Sequence, residues 1–65
     1  SQFDAIHMIG REGRVTSEVK AGRFGTANIG SEDWTVTSSQ DLLEGTVVKV
    51  KEVQGLKLVV ERKED

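Results

Sequence analysis

Gly45 to Glu61 reads GTVVKVKEVQGLKLVVE, and this stretch decides the fold. Its first arm carries Val48, Val50 and Val53, its second carries Leu56, Leu58 and Val60, and Gln54-Gly55 between them reads as a tight turn with glycine supplying positive φ. The alternation is clean through Val48-Lys49-Val50-Lys51 and slips at Glu52-Val53. A β-bulge near Lys51-Glu52 repairs that slip by returning Val53 to the apolar face, since a shift of one residue otherwise moves every later side chain to the other side. A bulge also coils its strand, which suits a small barrel. An isolated hairpin is marginal in water, so the other strands have to close around this one.

Upstream, Met8 to Val19 places Gly13, Val15, Ser17 and Val19 on one face and Arg14, Thr16 and Glu18 on the other, the period of a strand. Gly10 and Gly13 mark coiling or close backbone approach. Lys20-Ala21-Gly22 is a turn. Gly25, Ala27 and Ile29 alternate with Thr26 and Asn28 as a second strand, and Gly30-Ser31 turns it into a third, where Trp34 and Val36 share a face. Ser38 to Gly45, SSQDLLEG, offers a serine cap, two leucines and a closing glycine, enough for one helical turn, with Leu42 or Leu43 plugging a barrel end. Residues 1–7 (SQFDAIH) form a lead-in, with Phe3 and Ile6 spaced as in the last turn of a helix or in a linker. Residues 8–61 are the domain and 62–65 a charged tail. Five short strands, with the longest connection between the third and fourth, predict an all-β, OB-type Greek-key β-barrel with at most one short helical turn in that connection.

A chain of 65 residues is one domain near the lower limit for folding without disulfides or metal, so its core is small. It has no cysteine, which removes disulfides and thiolate metal sites. The net charge of −2, with signs interspersed, argues against a dedicated binder of nucleic-acid backbone. No apolar run approaches the ~20 residues needed to span a bilayer.

Motifs that could carry chemistry are short and lack their contexts. Ser17-Glu18-Val19-Lys20 fits the S-x-x-K of serine acylases, but it runs off a strand and its companion motifs are missing. His7 is the single histidine, which puts a histidine-rich metal site or a histidine triad out of reach. Glu32-Asp33 are neighbours on a strand and face opposite ways. Gly22-Arg23-Phe24-Gly25 reproduces the G-x-x-G of KH domains without the helices that such a clamp needs. Arg23 and Phe24 instead stand on the loop between the first two strands, a contact loop of OB folds, and read either as a contact pair of types enriched at interfaces or, for Phe24, as a side chain folded onto the barrel rim. Trp34, alternating with Val36, reads as core packing. Lys49, Lys51 and Lys57 read as a solvated outer face that discourages edge pairing. No enzymatic activity, cofactor or metal is expected.

The series Ile9-Gly10-x-x-Gly13-x-Val15, Gly25-x-Ala27-x-Ile29-Gly30-x-x-x-Trp34-x-Val36, and Leu43-x-Gly45-Thr46-x-Val48-x-Val50-x-x-Val53-x-Gly55-Leu56-x-Leu58-x-Val60 resembles the C-terminal domain of the NfeD family over residues 8 to 60. The likeness departs at Lys20 to Phe24, which lacks the proline-containing turn that relatives often show. The resemblance implies an OB-fold domain that follows transmembrane helices in a membrane-anchored protein, on the cytoplasmic side, and that associates with a stomatin- or flotillin-like membrane protein. Nothing here corresponds to the serine protease domain of the family's long members. The function so implied is a non-catalytic interaction module, with Arg14, Arg23 and Phe24 as partner-binding residues chosen from loop and outward positions. The alternative is an OB domain binding single-stranded nucleic acid. That would need two or three aromatic stacking platforms from Phe3, Phe24 and Trp34, at least one of which the core takes.

Overall fold

The computed structural model describes residues 2–64. Ser1 and Asp65, which fall in the expected lead-in and tail, lie outside the described residues, as do the side chains of residues 2–4. Five strands, β1 (Glu12–Ser17), β2 (Phe24–Ile29), β3 (Glu32–Thr37), β4 (Val47–Gln54) and β5 (Lys57–Arg62), close into a barrel in the order β1-β2-β3-β5-β4. All neighbours are antiparallel except β3 and β5, whose parallel seam pairs Val36 with Leu58 and Thr37 with Val59. This is the OB-type Greek-key barrel that the alternation predicts. Val15, Ala27, Ile29, Val36, Val48, Val50, Leu58 and Val60 fill its interior, with Trp34 and Val53 packed against them at the margin.

The β4–β5 hairpin carries the expected bulge: Val50 pairs with Val60 and Glu52 with Val59, so Lys51 is the extra residue and Val53 turns back towards the core. The turn differs from the sequence reading by one place. Gln54 pairs with Lys57, so the turn residues are Gly55 and Leu56, and Leu56 stands 68% exposed at the tip instead of on the inner face. Gly55 has φ +62° and Leu56 does not have a positive φ, the requirement of a type II′ turn, which places glycine first. The Gly30-Ser31 turn has φ +61° and +69°, the type I′ pattern.

A second bulge, in β1, pairs Val15 with Ala27 and Ser17 with Thr26, leaving Thr16 as the extra residue and turning Ser17 outward. The expected first strand, Met8 to Val19, is therefore shorter. Met8 belongs to a 3-10 helix, Gln2–Met8, that packs against β4 and buries Ala5 and Met8. Val19 lies beyond the bulge and pairs with Leu42.

That pairing explains why Ser38 to Gly45 forms no helical turn. Leu42 and Val19 exchange two backbone hydrogen bonds of 2.8 Å each, so the Leu42 amide and carbonyl are committed to a strand-like bridge. The plug survives the change: Leu42 is fully buried across the barrel end, and Leu43 points out, 67% exposed.

Candidate partner-binding surface

The β1–β2 connection approaches β2 along a backbone fixed at several points. Gly22, at φ +77°, donates its N–H to the Ser38 carbonyl at 2.8 Å, and Arg23 donates its N–H to the Lys20 carbonyl at 2.8 Å. The Ala21 N–H donates to Asp41 Oδ1 at 2.8 Å, and Thr37 Oγ1 donates to the Arg23 carbonyl at 2.7 Å. Arg62 braces the β3–β4 connection that carries Asp41: its N–H donates to Gln40 Oε1 and its Nη2 to the Asp41 carbonyl. The β1–β2 loop is a braced shelf, so a partner would meet side chains whose backbone is already ordered.

Gly25 explains how Phe24 is presented. A Cβ at Gly25 would lie 2.7 Å from both the Glu18 carbonyl oxygen and Val19 Cγ2, so only glycine lets β2 enter the barrel this tightly. With Gly25 facing in, Phe24 faces out, and it is 56% exposed. Phe24 is registered with Thr37, Thr37 with Val59, and Val59 with Glu52, a row crossing the outer surface of four strands. Lys57 places Nζ 4.4 Å from the centroid of the Phe24 ring, a cation–π contact that crosses the parallel β3–β5 seam. Beyond Val59 the row opens into a groove of about 460 Å³, walled by Ser39 and Gln40 on one side and by Lys51 and Glu52 on the other.

Of the residues singled out in the sequence, Arg23 and Phe24 stand together on this shelf. Arg14 does not join them. It is registered with Asn28, four residues along β2 from Phe24, which is about 13 Å at the rise of a strand. Its Nη1 donates to the Gly45 carbonyl at 3.0 Å, on the β4 side of the barrel. Lys57 is the member of the cluster that the sequence reading assigned to a solvated face. No local signal could have found it, because Lys57 and Phe24 lie more than thirty residues apart in the chain and meet only across the parallel β3–β5 seam.

The remaining motifs are accounted for by structure. Ser17 Oγ lies 2.8 Å from Thr26 Oγ1 and accepts the Thr26 N–H at 3.1 Å, and the Lys20 ammonium sits 4.0 Å from a Glu18 carboxylate oxygen, so the S-x-x-K residues are engaged elsewhere. Asp33 Oδ1 accepts a hydrogen bond from Asn28 Nδ2 across the hairpin. Among the described residues no group of three or more His, Cys, Asp or Glu side chains could hold a metal ion. The G-x-x-G stretch leads from a turn into β2, not between helices. No helix among the described residues is long and apolar enough to cross a membrane.

A closed five-stranded barrel that buries its own core defines an OB-type domain, and this one carries an exposed aromatic ring and a cation on one braced shelf. A family model described as the NfeD-like C-terminal, partner-binding domain matches residues 6–62, and the chain belongs to that family. It is similar to the soluble domain of the NfeD protein YuaF from Bacillus subtilis, with 26% identity and a TM-score of 0.88, covering 98% of this chain and 83% of that one. It is also similar to the C-terminal domain of stomatin operon partner protein 1510-C from Pyrococcus horikoshii, with 30% identity and a TM-score of 0.81, covering 91% and 92%. The soluble domain of a membrane protein implicated in regulation of membrane protease activity, from Corynebacterium glutamicum, shares the fold at 23% identity and a TM-score of 0.80, covering 89% and 95%. No curated protein matches the sequence.

Proposed function

We propose that this chain is the non-catalytic interaction module of an NfeD-like membrane protein and that it binds a stomatin- or flotillin-type membrane scaffold protein. The likeness to a stomatin operon partner protein, at 30% identity over 91% of the chain, carries this reading. The binding face is the shelf of Arg23 and Phe24, and Arg14, on the β4 side of the barrel, stands outside it. The exposed Phe24 ring, with the Lys57 ammonium over it, supports that choice. In this reading the full-length protein is membrane-anchored and the domain faces the cytoplasm.

Calorimetric titration of the chain with the folded extramembrane part of a stomatin-like protein tests the proposal. Saturable binding is expected, together with no response to single-stranded oligonucleotide at the same concentrations. Binding to the oligonucleotide alone, weakening steeply with added salt, would instead favour the nucleic-acid alternative. That alternative needs several stacking platforms on one face. Phe24 is exposed there, whereas Trp34 packs against the core from the inner face of β3.

A further inference from the structure

The barrel closes least firmly between β3 and β5. That seam pairs only Val36 with Leu58 and Thr37 with Val59, whereas β2 and β3 pair along their whole length. The β1–β4 seam is also short, but backbone bonds prolong it: the Gly10 N–H donates to the Val50 carbonyl at one end and the Val15 N–H to the Thr46 carbonyl at the other. At β3–β5 side chains take that part. Towards the end of β5, Arg62 bonds Gln40 and Asp41 of the β3–β4 connection. At its start, Lys57 reaches over β3, which lies between β5 and β2 in the barrel, and sets Nζ 4.4 Å from the centroid of the Phe24 ring.

Phe24 has little else to hold its ring. The β1–β2 ladder ends at Ser17 and Thr26, so no β1 residue is registered with Phe24, and its neighbour on β3 is the small Thr37. The Thr37 hydroxyl donates to the Arg23 carbonyl at 2.7 Å, which fixes the backbone before Phe24 and not the ring. Resting on the partner-binding reading above for its functional consequence, we infer that Lys57 is a positioning residue of the binding face: its ammonium holds the Phe24 ring in one pose and straps β5 to β2 over the short β3–β5 seam. The strap depends on the attraction between a cation and the ring quadrupole, so it requires the charge and not only the aliphatic stem. At an exposed site such a contact changes an equilibrium about two- to fivefold. Opening the seam carries Lys57 away from the ring, so ring and seam are held or released together. A ring already held has less freedom to lose when a partner covers it.

Three variants of the labelled chain test the strap without any partner. Lys57→Met keeps an aliphatic stem and removes the charge, Lys57→Arg keeps a cation, and Phe24→Leu removes the ring. In the unaltered chain the Lys57 ε-methylene protons are expected upfield of their ordinary position, shielded by the ring, and are expected to return to it in Phe24→Leu. Native-state hydrogen exchange at the seam amides of Thr37 and Leu58 is expected to quicken about two- to fivefold in Lys57→Met and in Phe24→Leu, and to keep its rate in Lys57→Arg. The amides of Val15 and Val50, bonded within the β1–β4 seam, are the reference and should not change. The inference is overturned if the lysine protons are unshifted, if seam exchange is the same in Lys57→Met, if the reference amides quicken as much as the seam, or if Lys57→Arg behaves as Lys57→Met does. Calorimetry with the stomatin-like protein reads the functional level separately. Lys57→Met is expected to weaken binding about two- to fivefold in the unaltered chain and not at all in a Phe24→Ala chain, because Lys57 acts through the ring. An equal loss in both would make Lys57 a contact in its own right and overturn the positioning role. If that protein binds neither the unaltered chain nor any variant, the proposed function falls, while proton shifts and exchange still decide the strap.

Discussion

Val19 and Leu42 bond to each other twice, each backbone N–H donating to the other's carbonyl oxygen at 2.8 Å, and both side chains are fully buried beneath that bridge. One bridge thereby joins the β1–β2 and β3–β4 connections, holds the shelf from below and seals the barrel end.

The side chain that does the sealing is Leu42. Leu42→Ala is expected to cost about 3 kcal/mol, the usual range for a buried leucine truncated where the surroundings cannot collapse. Leu43→Ala, at a position 67% exposed, is expected to change stability by less than about 0.5 kcal/mol. Urea unfolding followed by Trp34 fluorescence separates the two, and equal effects would mean that Leu42 is not the plug.

Gly13 is required by close approach and not by its dihedral angle. A Cβ built there falls 2.1 Å from the Asn28 carbonyl oxygen and 2.6 Å from Ile29 Cγ1, within the β1–β2 ladder itself. Gly13→Ala is expected to destabilise by more than about 2 kcal/mol because backbone has to move. Gly10→Ala meets nothing within 4 Å and carries only the strain of φ +89°, about 1 kcal/mol. Thermal melts of the two variants should rank in that order.

Trp34 has a buried Nε1 with no hydrogen-bond partner among the described residues. Removing a donor that makes no bond relieves a desolvation cost and offsets part of the lost packing. Trp34→Phe is therefore expected to lower stability by less than about 1 kcal/mol, measured by far-UV circular dichroism. A loss of 3 kcal/mol or more, on the scale of a full aromatic truncation, would show that the indole contributes more than its place at the core margin.

Arg14 donates to the Gly45 carbonyl at 3.0 Å and lies apart from Phe24. Arg14→Ala is expected to weaken partner binding less than twofold, whereas Arg23→Ala is expected to weaken it about fivefold, an effect proper to a charge beside the central contact. Calorimetry on the two variants decides whether the face is centred on β2 or extends to the β1–β4 wall.

The barrel was legible in the sequence because its strands are short and alternate, and because the slip at Glu52-Val53 announces the Lys51 bulge. The turn was read one residue early. A glycine with positive φ suits either turn position, and only the pairing of Gln54 with Lys57 fixes Leu56 outside. The helical turn expected at Ser38 to Gly45 gave way to a tertiary bridge, since the local propensity of a few residues is weaker than two backbone hydrogen bonds to Val19. The outward turn of Ser17 depends on the extra residue Thr16, which the uninterrupted alternation of β1 conceals. Half of the candidate site, Arg23 and Phe24, was visible as a loop pair. Lys57 reaches it only through the parallel β3–β5 seam, a contact that no local periodicity encodes.

Amide chemical-shift mapping of the labelled chain against the folded extramembrane part of a stomatin-like protein tests most directly whether the Phe24 shelf is the binding face. Shifts should be confined to a contiguous patch holding Arg23, Phe24, Thr37, Lys57 and Val59, and Phe24→Ala should reduce them in a chain whose remaining spectrum is unchanged. A patch centred instead on the exposed Ile6 and Ile9 of the N-terminal end, or on the Arg14 and Lys49 wall, with Phe24→Ala without effect, would contradict it.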